Sequence, residues 1–225
     1  MSREYDFEPV RGLPGALPTG ERILWQGAPA PLPLALRAFH LNTAWAYLGA
    51  CWALAFLAAL ADGSGLQAGL SAGLWLAAAG VMGGAILAAM AWLYARSTVY
   101  TLTNKRLVIR FGLAIPKAIN VPFALVESAG VKLFKSGVGD IAIKLVPGAR
   151  IPFLHLWPNA RPGRFAAPEP TLRALAGAKE PAMLLAQALR AYQLEQSGAA
   201  APLPELVDAD NPRLAPAHGP QPLTA

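Results

Sequence analysis

The sequence predicts a membrane-anchored protein with two transmembrane helices folded as a hairpin, followed by a small, mostly-β unit that a C-terminal helix caps. Three observations carry this. Residues 41–61 and 69–94 are apolar runs of 21 and 26 residues without a charge, and about 20 apolar residues rising roughly 1.5 Å each cross the hydrocarbon core of a bilayer. From Thr98 the apolar pattern switches to period two, broken by turn residues, which reads as a run of short strands. After Pro181 it returns to helical spacing.

Bulk numbers agree. Of 225 residues only 14% are charged, against about 25% in an ordinary soluble domain, and mean hydropathy is +0.38. The net charge of +6 is concentrated after the second span. Residues 95–165 carry eleven Lys/Arg against Glu127 and Asp140 alone. A basic unit beside a membrane suits anionic headgroups. Nucleic acid is not expected as a partner, because the basic residues are interleaved along strands rather than gathered in a run. The single cysteine, Cys51, excludes a disulfide scaffold and a multi-cysteine zinc site.

Residues 1–38 read as a cytoplasmic N-terminal segment, irregular and proline-rich, too long and too acidic for a signal peptide's n-region. Within it, Ile23-Leu24-Trp25-Gln26 has a strand-like core that ends on Gly27 and could pair with a sheet edge elsewhere. Residues 39–95 form the hairpin. Arg37 precedes the first span and Arg96 follows the second, while the connecting loop has no Lys or Arg. The positive-inside rule then puts both termini in the cytoplasm, and the pairs Trp45/Tyr47 and Trp92/Tyr94 suit the interface at that face. Small residues recur along the second span at Gly69, Gly73, Ala77 and at Gly80, Gly84, Ala88. Two uses are open: they pack the hairpin on itself, against Ala46, Gly49, Ala50 and Ala53, or they receive a second copy or another membrane helix. The spans hold no buried ionisable residues of the kind a transport pathway needs.

Residues 96–195 form the β unit. Strands are expected at 99–103, 107–111, 118–123, 126–134, 141–146 and 150–156, with turns at Asn104-Lys105-Arg106 and Ser136–Asp140. A short helix is expected at 171–176 and a longer one at 181–195, with Leu185, Leu189 and Tyr192 on one face. Six short strands with tight turns suggest an antiparallel barrel or sandwich. Residues 196–225, rich in Pro and Ala without periodicity, read as a disordered tail.

Two motifs around the spans, Gly20-Glu21…Leu24-Trp25-Gln26-Gly27 and Tyr100-Thr101-Leu102-Thr103-Asn104-Lys105-Arg106-Leu107, resemble bacterial membrane proteins with a pleckstrin-homology-like (PH-like) domain. That resemblance implies a seven-stranded PH-like barrel with a C-terminal capping helix. Three further stretches narrow it: Phe7-Glu8-Pro9-Val10-Arg11-Gly12-Leu13-Pro14, Leu156-Trp157-Pro158-Asn159-Ala160-Arg161-Pro162-Gly163, and Glu169-Pro170-Thr171-Leu172-Arg173. Over roughly residues 5–195 the chain is similar to the photosynthetic complex assembly (PuhB) family of purple bacteria. The resemblance implies a non-enzymatic factor for assembling the reaction centre and its core antenna, with those subunits as partners and with dimerisation.

No catalytic set is legible: the three histidines are far apart, and there is no phosphate-binding glycine loop or zinc-binding helix motif. No cofactor and no metal are expected. His40, followed by Leu41 at the start of the first span, is either a pigment-magnesium ligand or an interfacial histidine. Arg96, Lys105, Arg106 and Arg110 are expected as a basic cluster at the membrane surface. Trp157 and Arg161, on a loop flanked by Pro158 and Pro162, are candidate contacts for a client protein, as are Gly80 and Gly84 within the membrane. The alternative to an assembly factor is a lipid-sensing or scaffolding membrane protein unrelated to photosynthesis.

Overall fold

The computed structural model describes residues 11–198, apart from 14 and 114. The tail from 199 onward and most of the Phe7–Pro14 motif therefore lie outside the described residues. In chain order the elements are β1 (Ile23–Gly27), α1 (Pro31–Arg37), α2 (Leu41–Ala61), α3 (Gly65–Ser97), β2 (Val99–Thr103), β3 (Arg106–Phe111), β4 (Lys117–Pro122), β5 (Val126–Leu133), β6 (Val138–Leu145), α4 (Phe153–Leu156), β7 (Thr171–Ala176) and α5 (Lys179–Gln196).

The strands form two antiparallel sheets, β1-β2-β3-β4 and β5-β6-β7. They meet along one corner, where Pro29 bridges Leu175 and the Ala30 N–H donates to the Ala174 carbonyl at 2.8 Å. The core between them is built from Tyr100, Leu102, Leu107, Ile109, Ile141, Ile143 and Leu175, all 2% exposed or less. Helix α5 closes it with Leu185, Ala188 and Ala191 inward, a stripe at helical spacing, and the Tyr192 ring meets Phe123 edge-on at 5.9 Å.

This is the seven-stranded PH-like arrangement with its terminal helix. Two assignments differ from the sequence reading. Residues 150–156 are not a strand: Pro152 leads into one helical turn whose only buried side chain is Leu156. Residues 171–176 are a strand, not a helix, paired to β6 from Val138↔Ala176 to Ala142↔Thr171. Five of its six residues are buried, so it shows no alternation to read.

The seventh strand is β1, cut off from the rest by the whole hairpin. It pairs with β2 from Ile23↔Thr103 to Gly27↔Tyr100. Residues before and after the hairpin thus share one sheet, so both ends of the hairpin lie on the same side of any membrane it crosses.

Helices α2 and α3 are long and apolar enough to cross a membrane, and the rest of the chain buries 0% and 11% of their apolar windows. A core helix of a soluble protein would be mostly covered and these two are not, which suits membrane association. The hairpin packs large onto small. Added Cβ atoms would lie 2.6 Å from the Phe56 ring at Gly69, 2.1 Å from the Trp52 indole at Gly73, and 3.1–3.2 Å from Trp45 at Gly80 and Gly84. The glycine ridge is therefore filled by rings of α2, and the small residues of the first span do not supply the match; Gly49 has nothing within 4 Å of a Cβ.

Candidate functional site at the hairpin–β junction

Helix α3 has 33 residues against 21 in α2. Since Leu41 and Leu87 line the same cleft, the last ten or so residues of α3 overshoot α2, by roughly 15 Å at 1.5 Å per residue. The β domain is bolted to this overhang. Only Thr98 separates α3 from β2, and its hydroxyl donates to the Tyr94 carbonyl at 2.8 Å, satisfying a helix-end acceptor.

Around Tyr94 a buried polar network draws in five parts of the chain. Asn159 is fully buried. Its Nδ2 donates to the Tyr94 hydroxyl at 2.8 Å, and its Oδ1 accepts from the Tyr100 hydroxyl at 2.9 Å. The Tyr100 oxygen in turn accepts the backbone N–H of Arg173 at 3.2 Å. The Arg173 guanidinium donates to the carbonyls of Pro158, Ala160 and Arg37, at 3.3–3.4 Å. It also lies 3.4 Å from Asp140, whose other oxygen accepts from Ala174 N–H at 2.8 Å. One arginine thus ties together the end of α1, the loop before β7, and strands β6 and β7, and Asn159 of that loop carries the tie to Tyr94 on α3. Burial pushes the Tyr100 phenol above its ordinary range, because the phenolate would lose its hydration, a cost that the backbone N–H and the charge of Arg173 offset only in part.

Aromatic rings complete the joint. Phe39 meets Tyr94 at 6.4 Å and Trp157 at 5.9 Å, and Tyr94 meets Phe111 at 6.1 Å. On the other flank the Arg37 guanidinium stacks 3.2 Å over the Phe134 ring. The N-terminal segment seals the outer face of β2. Arg11 donates to the Arg96 carbonyl at 3.4 Å, and its own carbonyl accepts from Gln26 at 2.7 Å. Gly12, at φ +89, sits so close that a Cβ would fall 2.5 Å from Val99.

The expected site residues divide on this frame. Trp157 is half-exposed beside Phe39, at the junction. Arg161 binds the buried Glu169 carboxylate at 2.7 Å, which folds the loop back on itself. Gly80 and Gly84 face Trp45, so of the two uses open to the ridge this structure shows the hairpin packing on itself. Trp45 lays one edge of its ring on these glycines and stays 43% exposed on the other.

The basic cluster also disperses. Arg96 is exposed at the end of α3, its guanidinium 4.9 Å from the Trp92 ring. Lys105 and Arg106 stand at the opposite end of β2, roughly 17–20 Å along the strand at about 3.3 Å per residue, and Arg106 pairs with the buried Glu21 at 2.7 Å. Arg110 returns beside Val99 but is only 7% exposed. The hairpin between β2 and β3 separates residues that are close in sequence. His40 is exposed at the cap of α2 with φ +53, before the span begins. Sequence reasoning missed Tyr94, Asn159, Arg173 and Asp140 as a set, although Asn159 and Arg173 lie within the motifs that carried the resemblance.

The sequence model of the bacterial PH domain family matches residues 43–161, more than half of the chain. The chain belongs to the bacterial PH domain family. The match spans most of the hairpin and strands β2 to β6, and leaves β1, β7 and α5 outside it. The chain is also similar to an uncharacterised 23.7 kDa protein in the puhA 5′ region of Rhodobacter capsulatus, 36% identical over 202 residues, which covers 88% of this chain and 94% of that one. No solved structure matches.

Proposed function

We propose that this protein is a non-enzymatic assembly factor for the photosynthetic reaction centre and its core antenna, working by protein–protein contact at the cytoplasmic face of the inner, intracytoplasmic membrane. The observation that carries the reading is the near full-length similarity to the Rhodobacter capsulatus protein named for the puhA 5′ region, together with the resemblance to the PuhB family. The three stretches behind that resemblance converge on one place. Arg11 and Gly12, Trp157 to Arg161, and Glu169 to Arg173 all build the junction between hairpin and β domain.

The geometry supports a mechanical role. The buried tyrosines and Arg173 are consumed in holding the joint, so the site's chemistry is that of a clamp. With one residue between α3 and β2 and a hydrogen-bonded loop on each flank, the β domain has a fixed orientation relative to the spans. Client subunits inserting beside α2 and α3 would meet a β surface already positioned for them, with the exposed edge of Trp157 at the contact. The same spans are open to a second copy. Arg37 and Arg96 flank the hairpin on the side of the β domain, which supports a cytoplasmic placement.

Deletion of the gene in a photosynthetic host tests this. Membrane absorption spectra and subunit immunoblots should show reaction-centre and core-antenna levels lowered together. Unchanged levels would reject the reading and favour a scaffold or lipid sensor unconnected with photosynthesis.

A further inference from the structure

The exposed apolar side chains of the β domain include a set at the end that meets α3. Strand β3 runs back towards the helix, with Arg110 opposite Val99 and the Phe111 ring against Tyr94. The chain leaving Phe111 carries Leu113 and Ile115, the latter 71% exposed. Gly112 makes that turn possible, with φ +128 and room for no Cβ: one would lie 2.1 Å from the Ile115 carbonyl oxygen. The β6–β7 connection approaches from the other flank through Trp157 on Phe39 and Asn159 on Tyr94. It carries Leu154 and Phe165, 84% and 70% exposed, with Phe165 braced 5.1 Å from the Phe153 ring. By contrast, the β2–β3 turn at the far end of the strands is Asn104-Lys105, without a large apolar side chain.

Large exposed apolar side chains on two separate loops need a cover. Continuity with the spans says which. Both loops are fastened to Tyr94, two residues from Trp92 and Arg96. That exposed ring and guanidinium mark the level where a helix leaves the hydrocarbon for the headgroups. Phe39, which touches Trp157, directly precedes the His40 cap of α2. Lys117 and Arg150, exposed near the loop bases, suit anionic headgroups.

We propose that Leu113 and Ile115 on one loop, and Leu154 and Phe165 on the other, dip into the leaflet that α2 and α3 leave, and seat the β domain on the bilayer. The ligand is the lipid surface itself, not a headgroup held in a pocket. With the α3 overhang, the two loops make three supports that fix the tilt of the domain. This holds for any client, and its test is independent of the photosynthetic assignment.

The experiment uses the full chain with Cys51→Ala, reconstituted in nanodiscs of equal parts phosphatidylcholine and phosphatidylglycerol. Ile115→Cys, Leu154→Cys and Phe165→Cys carry a spin label in turn, and Lys105→Cys serves as the distal control. Power saturation with oxygen and with a water-soluble nickel chelate reads the surroundings of each label. At 115, 154 and 165 oxygen should outweigh nickel several-fold, and at 105 nickel should outweigh oxygen. Nickel reaching the three labels as freely as position 105 would overturn the proposal, since the loops would then face water. Exclusion of both agents would also overturn it, by placing the loops against protein.

Discussion

Asn159→Ala isolates the joint between hairpin and β domain. The side chain makes two hydrogen bonds, at 2.8 Å and 2.9 Å, to two tyrosine hydroxyls. Alanine keeps the backbone bonds of the loop, from 159 N–H to the Leu156 carbonyl and from Thr171 N–H to the 159 carbonyl, so the truncation acts on the network alone. A buried hydrogen bond is worth about 1 kcal/mol net, and a polar group left buried without a partner costs about 1–3 kcal/mol. The Tyr100 hydroxyl still accepts from Arg173, but its own proton loses the Asn159 acceptor. The expected loss is about 2–4 kcal/mol, or roughly 5–15 °C in melting temperature for a chain of this size. Thermal unfolding of the full chain in mild detergent measures it. A cycle with Tyr100→Phe should give a coupling of about 1–2 kcal/mol, because both changes remove the same bond. A shift under about 0.5 kcal/mol, or strict additivity, would refute the claim that this network joins the two parts.

Three more outcomes follow from other contacts. Gly73→Ala puts a methyl 2.1 Å from the Trp52 indole nitrogen, whereas Gly83→Ala meets nothing within 4 Å; the first should cost about 1–3 kcal/mol and the second should be neutral or stabilising by up to about 1 kcal/mol, read from melting in the same detergent. Tyr100 has its folded pKa raised above the reference 10.0, so the folded state keeps the proton longer than the unfolded one. Its contribution is complete below about pH 10 and is lost above it, at up to about 1.4 kcal/mol per pH unit; denaturation midpoints should be flat from pH 7 to 9 and fall beyond 10, less steeply in Tyr100→Phe relative to its own plateau. Glu169→Gln removes the charge that holds Arg161 at 2.7 Å and Arg164 at 3.6 Å; both arginines are half-exposed, so the stability loss should be about 1 kcal/mol, while trypsin cleavage at these two residues should quicken.

What was legible followed from repetition. The spans announce themselves by length and lack of charge, and β2 to β6 by period-two alternation or flanking turns. Strand β7 was misread because Leu, Arg and Ala at 172–176 are good helix formers and burial on both faces erases the alternation; Ala174 even adopts φ +53, with its N–H held by Asp140. Strand β1 was visible as a strand-like stretch, but its partner lies beyond the entire hairpin. The ridge of Gly69, Gly73, Gly80 and Gly84 was visible, and its occupant was not, since a groove of small residues accepts a ring as readily as another backbone. The junction could not be assembled from spacing, because Tyr94, Tyr100, Asp140, Asn159 and Arg173 come from five segments with no motif spacing between them. The signal was indirect: Tyr100, Asn159 and Arg173 lie inside stretches that carried the family resemblances.

The central claim is that this chain touches its clients while they assemble. Pulse-labelling of a photosynthetic host that carries the tagged full-length protein, followed by crosslinking and affinity purification from membranes, tests it most directly. Newly made reaction-centre or core-antenna subunits should be recovered soon after the pulse and disappear during the chase as the mature complex forms. Recovery of no labelled photosynthetic subunit at any time, in membranes that are assembling the complex, would contradict the account.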